Sequence, residues 1–415
     1  MIKRELFNEL KAHLVQKEMT FIVGPRQAGK TTLMFLLKDD LEKNGQKTVV
    51  LNLDIEADRQ HFTTQENLIN KIRLEIGAKG YVFLDEIQRK ENAGLFLKGI
   101  YDMNLPYKFI VSGSGSVELK EQIHESLAGR KRIFELHTVS FREFINFRTE
   151  YRYENKLHDF LKIEKNRRKT LLDEYMNFGG YPRVVLAETE SEKLKIIEEI
   201  YQSYVERDIF NLLGIQKEEA FTKLVKVLAS QIGNLINVSE LSNTVGVARK
   251  TIEQYVWYLE KTFVIGKVTP FYKNIRKEIT KSPKVYFTDL GLRNYSIGEF
   301  GRGVSSRDAG FLFENFVFLM LADTIKNQNA KIQFWRTKDG SEADFIIISE
   351  NKAIPIEIKF SSLLDASIGR PLKNFIEKYR PERAYVVNLD LDSETVHFGT
   401  NVFFLPFYKV LNLKL

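Results

Sequence analysis

Residues 24–32 read Gly-Pro-Arg-Gln-Ala-Gly-Lys-Thr-Thr, which puts Gly24, Gly29, Lys30 and Thr31 at the spacing G-x-x-x-x-G-K-T. Glycines at those places let a loop close around an anion, so that its backbone N–H groups and the positive end of the following helix face phosphate oxygens. Lys30 would then reach the β- and γ-phosphates of a nucleoside triphosphate, and the Thr31 hydroxyl would ligate Mg2+. Gly24, Pro25, Arg26, Gln27, Ala28, Gly29, Lys30, Thr31 and Thr32 make up the expected binding loop. Further on, the apolar run Tyr81-Val-Phe-Leu ends in Asp85-Glu86. Asp85 is placed to hold Mg2+ through water and Glu86 to orient or deprotonate the attacking water, so two acids rather than one favour hydrolysis over nucleotide sensing. Phe109-Ile-Val-Ser-Gly-Ser delivers Ser112 and Ser114, either of which could touch the γ-phosphate or the water. Arg130 and Arg132 could offset transition-state charge, in the same subunit or across the interface of a homo-oligomer, or be solvated surface arginines.

A second set of acids lies near the other end of the chain. Glu342-Ala-Asp344-Phe-Ile-Ile-Ile and Ile354-Pro-Ile-Glu357-Ile-Lys359 read as two strands joined by a short loop. With a turn between Glu350 and Asn351, the hairpin register sets Asp344 directly opposite Glu357. Facing carboxylates repel unless a cation or a proton sits between them. Glu357 and Lys359 are two apart and share a strand face, so Lys359 adds a positive group. Glu314, in the apolar helical run Phe311–Met320, could complete the set. Such groups suit metal-assisted phosphodiester chemistry, while the plainer alternative is a structural Glu–Lys pair.

The elements that must position these groups alternate strand and helix through the first third of the chain. Phe21–Val23, Lys47–Asp54, Gly80–Asp85 and Tyr107–Ser112 read as buried strands, with helical stretches after Thr32 and near Gln65–Ile76. Residues 151–230 read as helices (Lys156–Lys162, Arg167–Asn177, Glu190–Leu213 and Ala220–Ile232) punctuated by Gly179-Gly180-Tyr181-Pro182, a lid or connector with no assigned chemistry. Next comes a helix-turn-helix pattern, in which Ser239 caps a short helix, Gly246 turns the chain and a second helix runs from Ala248 to about Thr262. Ile252, Val256 and Leu259 mark its buried side, leaving Arg249, Lys250, Glu253 and Gln254 outward near its N-terminus, the end that meets base edges in such motifs. Val264–Lys273 and Lys284–Phe287 read as a wing hairpin with Arg276, Lys277 and Lys281 at its tip. From Gly246 to Lys284 nine Lys or Arg stand against three Glu, a local surplus nearly as large as the net +7 of the whole chain. That places the expected DNA contact on Arg249, Lys250, Gln254, Arg276 and Lys277; a winged helix used for packing or protein contact is the alternative.

Taken together, Gly24-Pro-Arg-Gln-Ala-Gly-Lys-Thr-Thr, Tyr81-Val-Phe-Leu-Asp-Glu-Ile-Gln-Arg, Val111-Ser-Gly-Ser-Gly-Ser and Leu127-Ala-Gly-Arg ahead of Val139-Ser-Phe-Arg-Glu-Phe resemble the prokaryotic AAA-type ATPases of the archaeal-ATPase group. The resemblance implies a parallel α/β sheet of the P-loop NTPase (ASCE) class, ATP as the nucleotide and an acid beside the metal-binding aspartate as base. Phe178-Gly-Gly-Tyr-Pro-Arg and Tyr204-Val-Glu-Arg-Asp-Ile resemble the region that follows the ATPase domain in that group. Glu314…Asp344…Glu357-x-Lys359 resembles the PD-(D/E)xK nuclease core, with Ala343 where the pattern has proline, and implies Mg2+-dependent DNA cleavage. The expected layout is an ATPase domain over 1–150, a helical lid or connector over 151–235, a winged helix-turn-helix over 236–300 and a nuclease-like α/β domain over 301–415.

Length and composition agree with this layout. The chain has 415 residues, enough for two or three cores, and is 43% hydrophobic and 28% charged, as ordered globular chains are. It has no cysteine, which excludes disulfides and thiolate metal sites, and its six histidines show no zinc spacing. No apolar run is of membrane-spanning length and the first residues lack a signal-peptide layout, so the expected place is the cytoplasm. The functional expectation is ATP hydrolysis that controls DNA binding or cleavage by the second half. The alternative is an ATP-dependent switch whose second half is a non-catalytic DNA- or protein-binding module.

Overall fold

The computed structural model describes residues 1–114, 126–203, 218–272, 278, 281–304, 308–326, 328–337, 339–350 and 352–413. Five strands, β1 (Met19–Gly24), β2 (Thr48–Asn52), β3 (Gly80–Asp85), β4 (Tyr107–Ser114) and β5 (Lys131–Glu135), form a parallel sheet in the order β2-β3-β4-β1-β5. Their alternating side chains feed two separate layers, as a strand's period of two requires. Ile22, Phe83 and Ile110 pack on the helices Leu6–His13 and Lys30–Lys43, whereas Phe21, Val82 and Val111 pack on Gln65–Ile76 and Ala93–Asp102. In a parallel sheet all C-terminal strand ends share one edge, so the loops after β1, β3 and β4 meet there. The insertion of β4 between β1 and β3 brings Ser112 between the phosphate loop and Asp85.

The middle is helical, with Phe141–Arg148, Leu157–Ile163, Lys165–Phe178, Pro182–Leu186, Glu190–Ile200 and Glu218–Ser230. The tail end of the expected Glu190–Leu213 helix lies outside the described residues. Phe141–Arg148 starts at a capping box: the Ser140 hydroxyl accepts from the Glu143 N–H and the Glu143 carboxylate accepts from the Ser140 N–H. The helix-turn-helix forms from Val238–Val245 and Arg249–Lys261, with Gly246 in the left-handed region at φ 79°. Its cap differs from expectation. The Asn237 side chain, not Ser239, accepts from the Ser239 and Glu240 N–H groups, because an Asx turn two residues earlier already satisfies those donors.

Strands β6 (Ile265–Pro270) and β7 (Lys284–Phe287) pair antiparallel as the expected hairpin, but they do not stand apart. Thr269 and Pro270 of β6 pair with Gln333 and Phe334, which makes the hairpin one edge of an eight-stranded mixed sheet. The sheet continues with β8 (Ala330–Arg336), β9 (Glu342–Ser349), β10 (Lys352–Ile358), β11 (Arg383–Asn388), β12 (Ser393–His397) and β13 (Thr400–Pro406), in the order β12-β13-β11-β10-β9-β8-β6-β7. The helix Ala309–Ile325 lies against it, and one hydrophobic core runs from Val139 to Val410 through the middle helices, the helix-turn-helix and this sheet. Hydrogen bonds and packing therefore cross the expected boundary near residue 300. Among the described residues no helix is long and apolar enough to cross a membrane.

Candidate functional site

The phosphate loop, residues 24–29, leaves β1 at the shared strand edge and ends in the helix Lys30–Lys43. A side chain at Gly24 would put its Cβ 2.0 Å from the Leu136 carbonyl oxygen, so only glycine lets the loop pass there. Gln27 in the loop and Glu86 beyond β3 are non-glycine residues in the left-handed region, at φ 58° and 54°. Such strain is retained where surrounding structure enforces it, which is common at functional sites. The Lys30 ammonium is buried and donates to the loop's own Gly24 and Pro25 carbonyls at 3.1 and 2.8 Å. Burial pulls its pKa down to about 8, against the opposing pull of Glu86 and Asp85.

Asp85 gathers the metal-side groups. Its carboxylate accepts from the Thr31 hydroxyl at 2.8 Å, from the Ser112 hydroxyl and from the Glu86 N–H at 3.1 Å. Thr31 and Asp85 thus lie together, an oxygen pair that fits a hydrated Mg2+ held beside phosphate, and Ser112 stands against the same carboxylate. Ser114 continues β4 opposite Gly24. The Glu86 carboxylate accepts from the Gln88 side-chain amide and stands near enough to Lys30 to raise that lysine's affinity for its proton. Of the roles open to Arg130, service of its own phosphate loop does not fit the fold. Arg130 precedes β5, its carbonyl accepts from Met19 N at 2.9 Å and its guanidinium pairs with Asp102 at 2.8 Å. Met19 and Gly24 are the two ends of β1, so strand direction puts Arg130 at the far edge of the sheet from its own phosphate loop. Arg132 points over the Phe134 ring from the same strand.

Two arginines that sequence reasoning passed over do reach the loop. The Arg4 side chain is only 9% exposed and donates to the Ala28 carbonyl at 2.9 Å, to Glu143 at 3.0 Å, and to the His137 and Thr138 carbonyls at 2.7 and 3.3 Å. Arg183 donates to the Gln27 side chain at 3.2 Å and to Glu199 at 3.0 Å. The Gly-Gly-Tyr-Pro-Arg segment, expected to carry no chemistry, therefore lies against the phosphate loop. Pro182 at the first helical position, followed by Arg183, was the available signal; nothing near Arg4 offered one. The same segment is anchored from the other side. The fully buried Asp289, which caps the helix Leu290–Ser296 just after β7, accepts from Gly180 N at 2.8 Å and Leu292 N at 2.9 Å. Burial raises its pKa, and these N–H donors, together with a hydrogen bond from Thr138, oppose that rise.

In the C-terminal sheet, β9 and β10 pair from Lys352 with Ser349 to Ile356 with Phe345. That register carries on to set Asp344 beside Glu357, and the Asp344 carboxylate accepts from Ile358 N at 2.7 Å. Lys359 pairs with Glu357 at 2.7 Å, while the other Glu357 oxygen is buried without a hydrogen-bond partner. Burial, then the nearby Glu314 charge, pushes the Asp344 pKa up to about 8, with Lys284 and the Ile358 N–H opposing. Glu314 is turned toward β7, where it accepts from the Tyr286 hydroxyl at 2.5 Å and pairs with the Lys284 ammonium at 3.3 Å. Lys284 pairs with Glu342 as well. Burial alone would lower the Lys284 pKa, but Glu314, Glu342 and Asp344 together raise it. Lys284, Tyr286 and Glu342 were missed, although the alternation Lys284-Val-Tyr286 on a strand puts both polar side chains on one face. Among the described residues no group of three or more His, Asp or Glu stands ready to hold a metal ion.

On the helix-turn-helix, Ile252, Val256 and Leu259 are buried, and Arg249, Lys250, Glu253 and Gln254 are exposed at the start of the second helix. Lys281 is exposed, and Arg276 and Lys277 lie outside the described residues.

Known proteins resemble the chain in three consecutive blocks. Residues 16–145 match a family described as AAA domain. Residues 169–302 and 309–409 match two families described as domains of unknown function, DUF8612 and DUF4143. An uncharacterized protein of Methanocaldococcus jannaschii is 28% identical over 399 residues, covering 92% of this chain and 83% of its own. An uncharacterized protein of Haemophilus influenzae is 26% identical over 379 residues, covering 87% of each. Among solved structures, AMPPCP-bound DnaA from Aquifex aeolicus aligns at 14% identity over 63% of this chain and 90% of its own, with a TM-score of 0.27. Cdc6p from Pyrobaculum aerophilum aligns at 10% identity over 72% and 95%, also with a TM-score of 0.27. The family match over residues 16–145, the phosphate loop and the sheet order together give the first part of the chain the α/β fold of an AAA-type P-loop domain.

Proposed function

We propose that the chain hydrolyses ATP in its first domain and uses the nucleotide state to control DNA binding by its second half. The observation that carries this reading is the double attachment of the phosphate loop. Ala28 is tied through Arg4 to Glu143, Gln27 is tied to Arg183, and the segment bearing Arg183 is tied through Gly180 to Asp289 at the end of β7. A change in the loop is thereby passed by hydrogen bonds into the unit that holds the helix-turn-helix. Thr31 and Asp85 would hold Mg2+, which neutralises charge between the β- and γ-phosphates when bound. Lys30 would exchange its two loop carbonyls for phosphate oxygens, and Glu86 would hold the attacking water and take its proton. The exposed Arg249, Lys250 and Gln254 supply the phosphate and base-edge donors for DNA.

The test measures duplex affinity by fluorescence anisotropy with Glu86→Gln in ATP and with the unsubstituted protein in ADP. The expected result is an ATP turnover at least roughly a hundredfold lower in Glu86→Gln, with DNA affinity differing severalfold between the two nucleotide states. Equal DNA affinity in both states, or no binding to DNA, would sink the coupling.

A second reading, Mg2+-dependent DNA cleavage, is favoured by Asp344 and Glu357 lying side by side, by Lys359 on the same face, and by the orphaned Glu357 oxygen. Nicking of supercoiled plasmid that needs Mg2+ and vanishes in Asp344→Asn would establish it; no nicking, or nicking unchanged in that variant, rejects it.

A further inference from the structure

The acids at the centre of the C-terminal sheet are met by cations that the chain itself supplies. Four carboxylates gather there, from Glu314 on the helix Ala309–Ile325, Glu342 and Asp344 on β9, and Glu357 on β10. Lys359 pairs with Glu357 and Arg336 with Glu342, both from positions with solvent contact. Lys284 is different. Its side chain is 2% exposed and its ammonium bridges Glu314 on the helix to Glu342 on the sheet. No other cation among the described residues pairs with Glu314. Tyr286, two residues on and on the same strand face, donates to the same Glu314 oxygen, so the two β7 side chains hold that carboxylate in place. An ammonium has the charge and the donor geometry to neutralise converging carboxylates, and a buried site that has one gains less from a divalent ion.

We propose that Lys284 is the resident cation of this cluster, neutralising Glu314 and Glu342 with an ammonium so that the site binds no metal while β7 is docked. The backbone around Lys284 is sutured to the segment that enters the helix-turn-helix. Lys284 bridges Leu235, Gly233 N donates to the Val285 carbonyl at 3.0 Å and Ile236 N donates to the Pro283 carbonyl at 2.9 Å. Any shift of that segment would carry the Lys284 backbone with it, which links occupancy of the cluster to the position of the helix-turn-helix. The inference and the cleavage reading exclude one another while β7 is docked, since cleavage needs Mg2+ at these acids.

Mn2+ binding to the full nucleotide-free chain tests it, by isothermal titration with electron paramagnetic resonance, in an Asp85→Asn background that silences the ATPase metal position. The expected result is no Mn2+ site in that parent, and one Mn2+ per chain once Lys284→Met is added. Adding Asp344→Asn should remove it again. Lys284→Gln provides a second variant should the methionine disturb folding, which circular dichroism and a cooperative melt would reveal. A parent that already binds Mn2+ through Asp344 overturns the inference, as does a folded Lys284 variant that gains none. Mg2+-dependent nicking by the unsubstituted chain that Asp344→Asn abolishes would sustain the cleavage reading and overturn this inference together.

Discussion

Removing the Arg4 side chain should damage both the fold and the nucleotide site, and the structure sets the size of the effect. Arg4 and Glu143 are 9% and 6% exposed, so their 3.0 Å contact is a buried ion pair rather than a surface one. The guanidinium also serves the Ala28, His137 and Thr138 carbonyls, and Glu143 serves the Glu5 and Ser140 N–H groups. Arg4→Met leaves Glu143 as a buried charge with only backbone donors. Breaking a buried pair from one side costs ~3–5 kcal/mol, against ~0–1 kcal/mol for an exposed pair. In the unfolding transition of the ATPase domain that corresponds to a fall of roughly 10 °C. The Ala28 carbonyl loses its anchor as well, so ATP affinity should fall in the same variant. Glu143→Gln retains a capping group for the helix Phe141–Arg148, and the double variant should recover part of the loss, since neither charge is then stranded. The assay is denaturant unfolding of the four proteins as a double-mutant cycle, with ATP affinity measured alongside. A loss below ~1 kcal/mol in Arg4→Met, with no coupling to Glu143, would refute the buried clamp.

Three further outcomes follow from the same geometry. Lys30 has a pKa near 8 in the free protein, and phosphate beside it would raise that value, so nucleotide binding should take up a proton above pH 8 and affinity should fall as pH rises, by at most about tenfold per unit. Titration calorimetry in buffers of different ionisation enthalpy checks this, and a flat affinity from pH 7 to 9.5 contradicts it. Arg183→Ala frees the Gln27 side chain and should raise KM for ATP by roughly threefold to tenfold, on the order of 1 kcal/mol for a half-exposed contact, while the fold is unchanged; an unaltered KM would remove Arg183 from the site. Asp344 has a folded pKa near 8, above its unfolded value, so its ionisation opposes folding increasingly as pH rises from about 4 to 8. Asp344→Asn, which still accepts from Ile358 N, should gain melting temperature on the parent between pH 5 and 8; a difference independent of pH would count against the raised pKa.

Much of the ATPase domain could be read from local pattern. The G-x-x-x-x-G-K-T spacing, an acid pair closing an apolar strand and a serine strand between them are short-range features, and a parallel sheet gathers its strand ends without further instruction. The Asp344–Glu357 register was legible for the same reason, because a two-residue turn fixes every later pair in a hairpin. So was the buried stripe of the second helix in the helix-turn-helix, which needs only a period of 3.6.

What the linear pattern left open depends on contacts between distant residues. Arg130 had a role in its own subunit, a role across an interface and a plain surface position all open to it, and strand direction removes the first by carrying it to the edge of the sheet away from its own phosphate loop. Arg4 and Arg183 carry no motif; they matter because folding brings residues 24 and 156 positions away against the loop. The wing hairpin is visible in the sequence, but its merger with the C-terminal sheet rests on a short parallel pairing of Thr269 and Pro270 with β8. That pairing sets Lys284 among Glu314 and Glu342, so an acidic cluster that called for a cation was answered from another part of the chain. The sequence by itself determined which groups could do chemistry, since type and short spacing decide that. Only the tertiary structure decided which charges meet them, because a buried charge takes its partner from whatever the fold packs beside it.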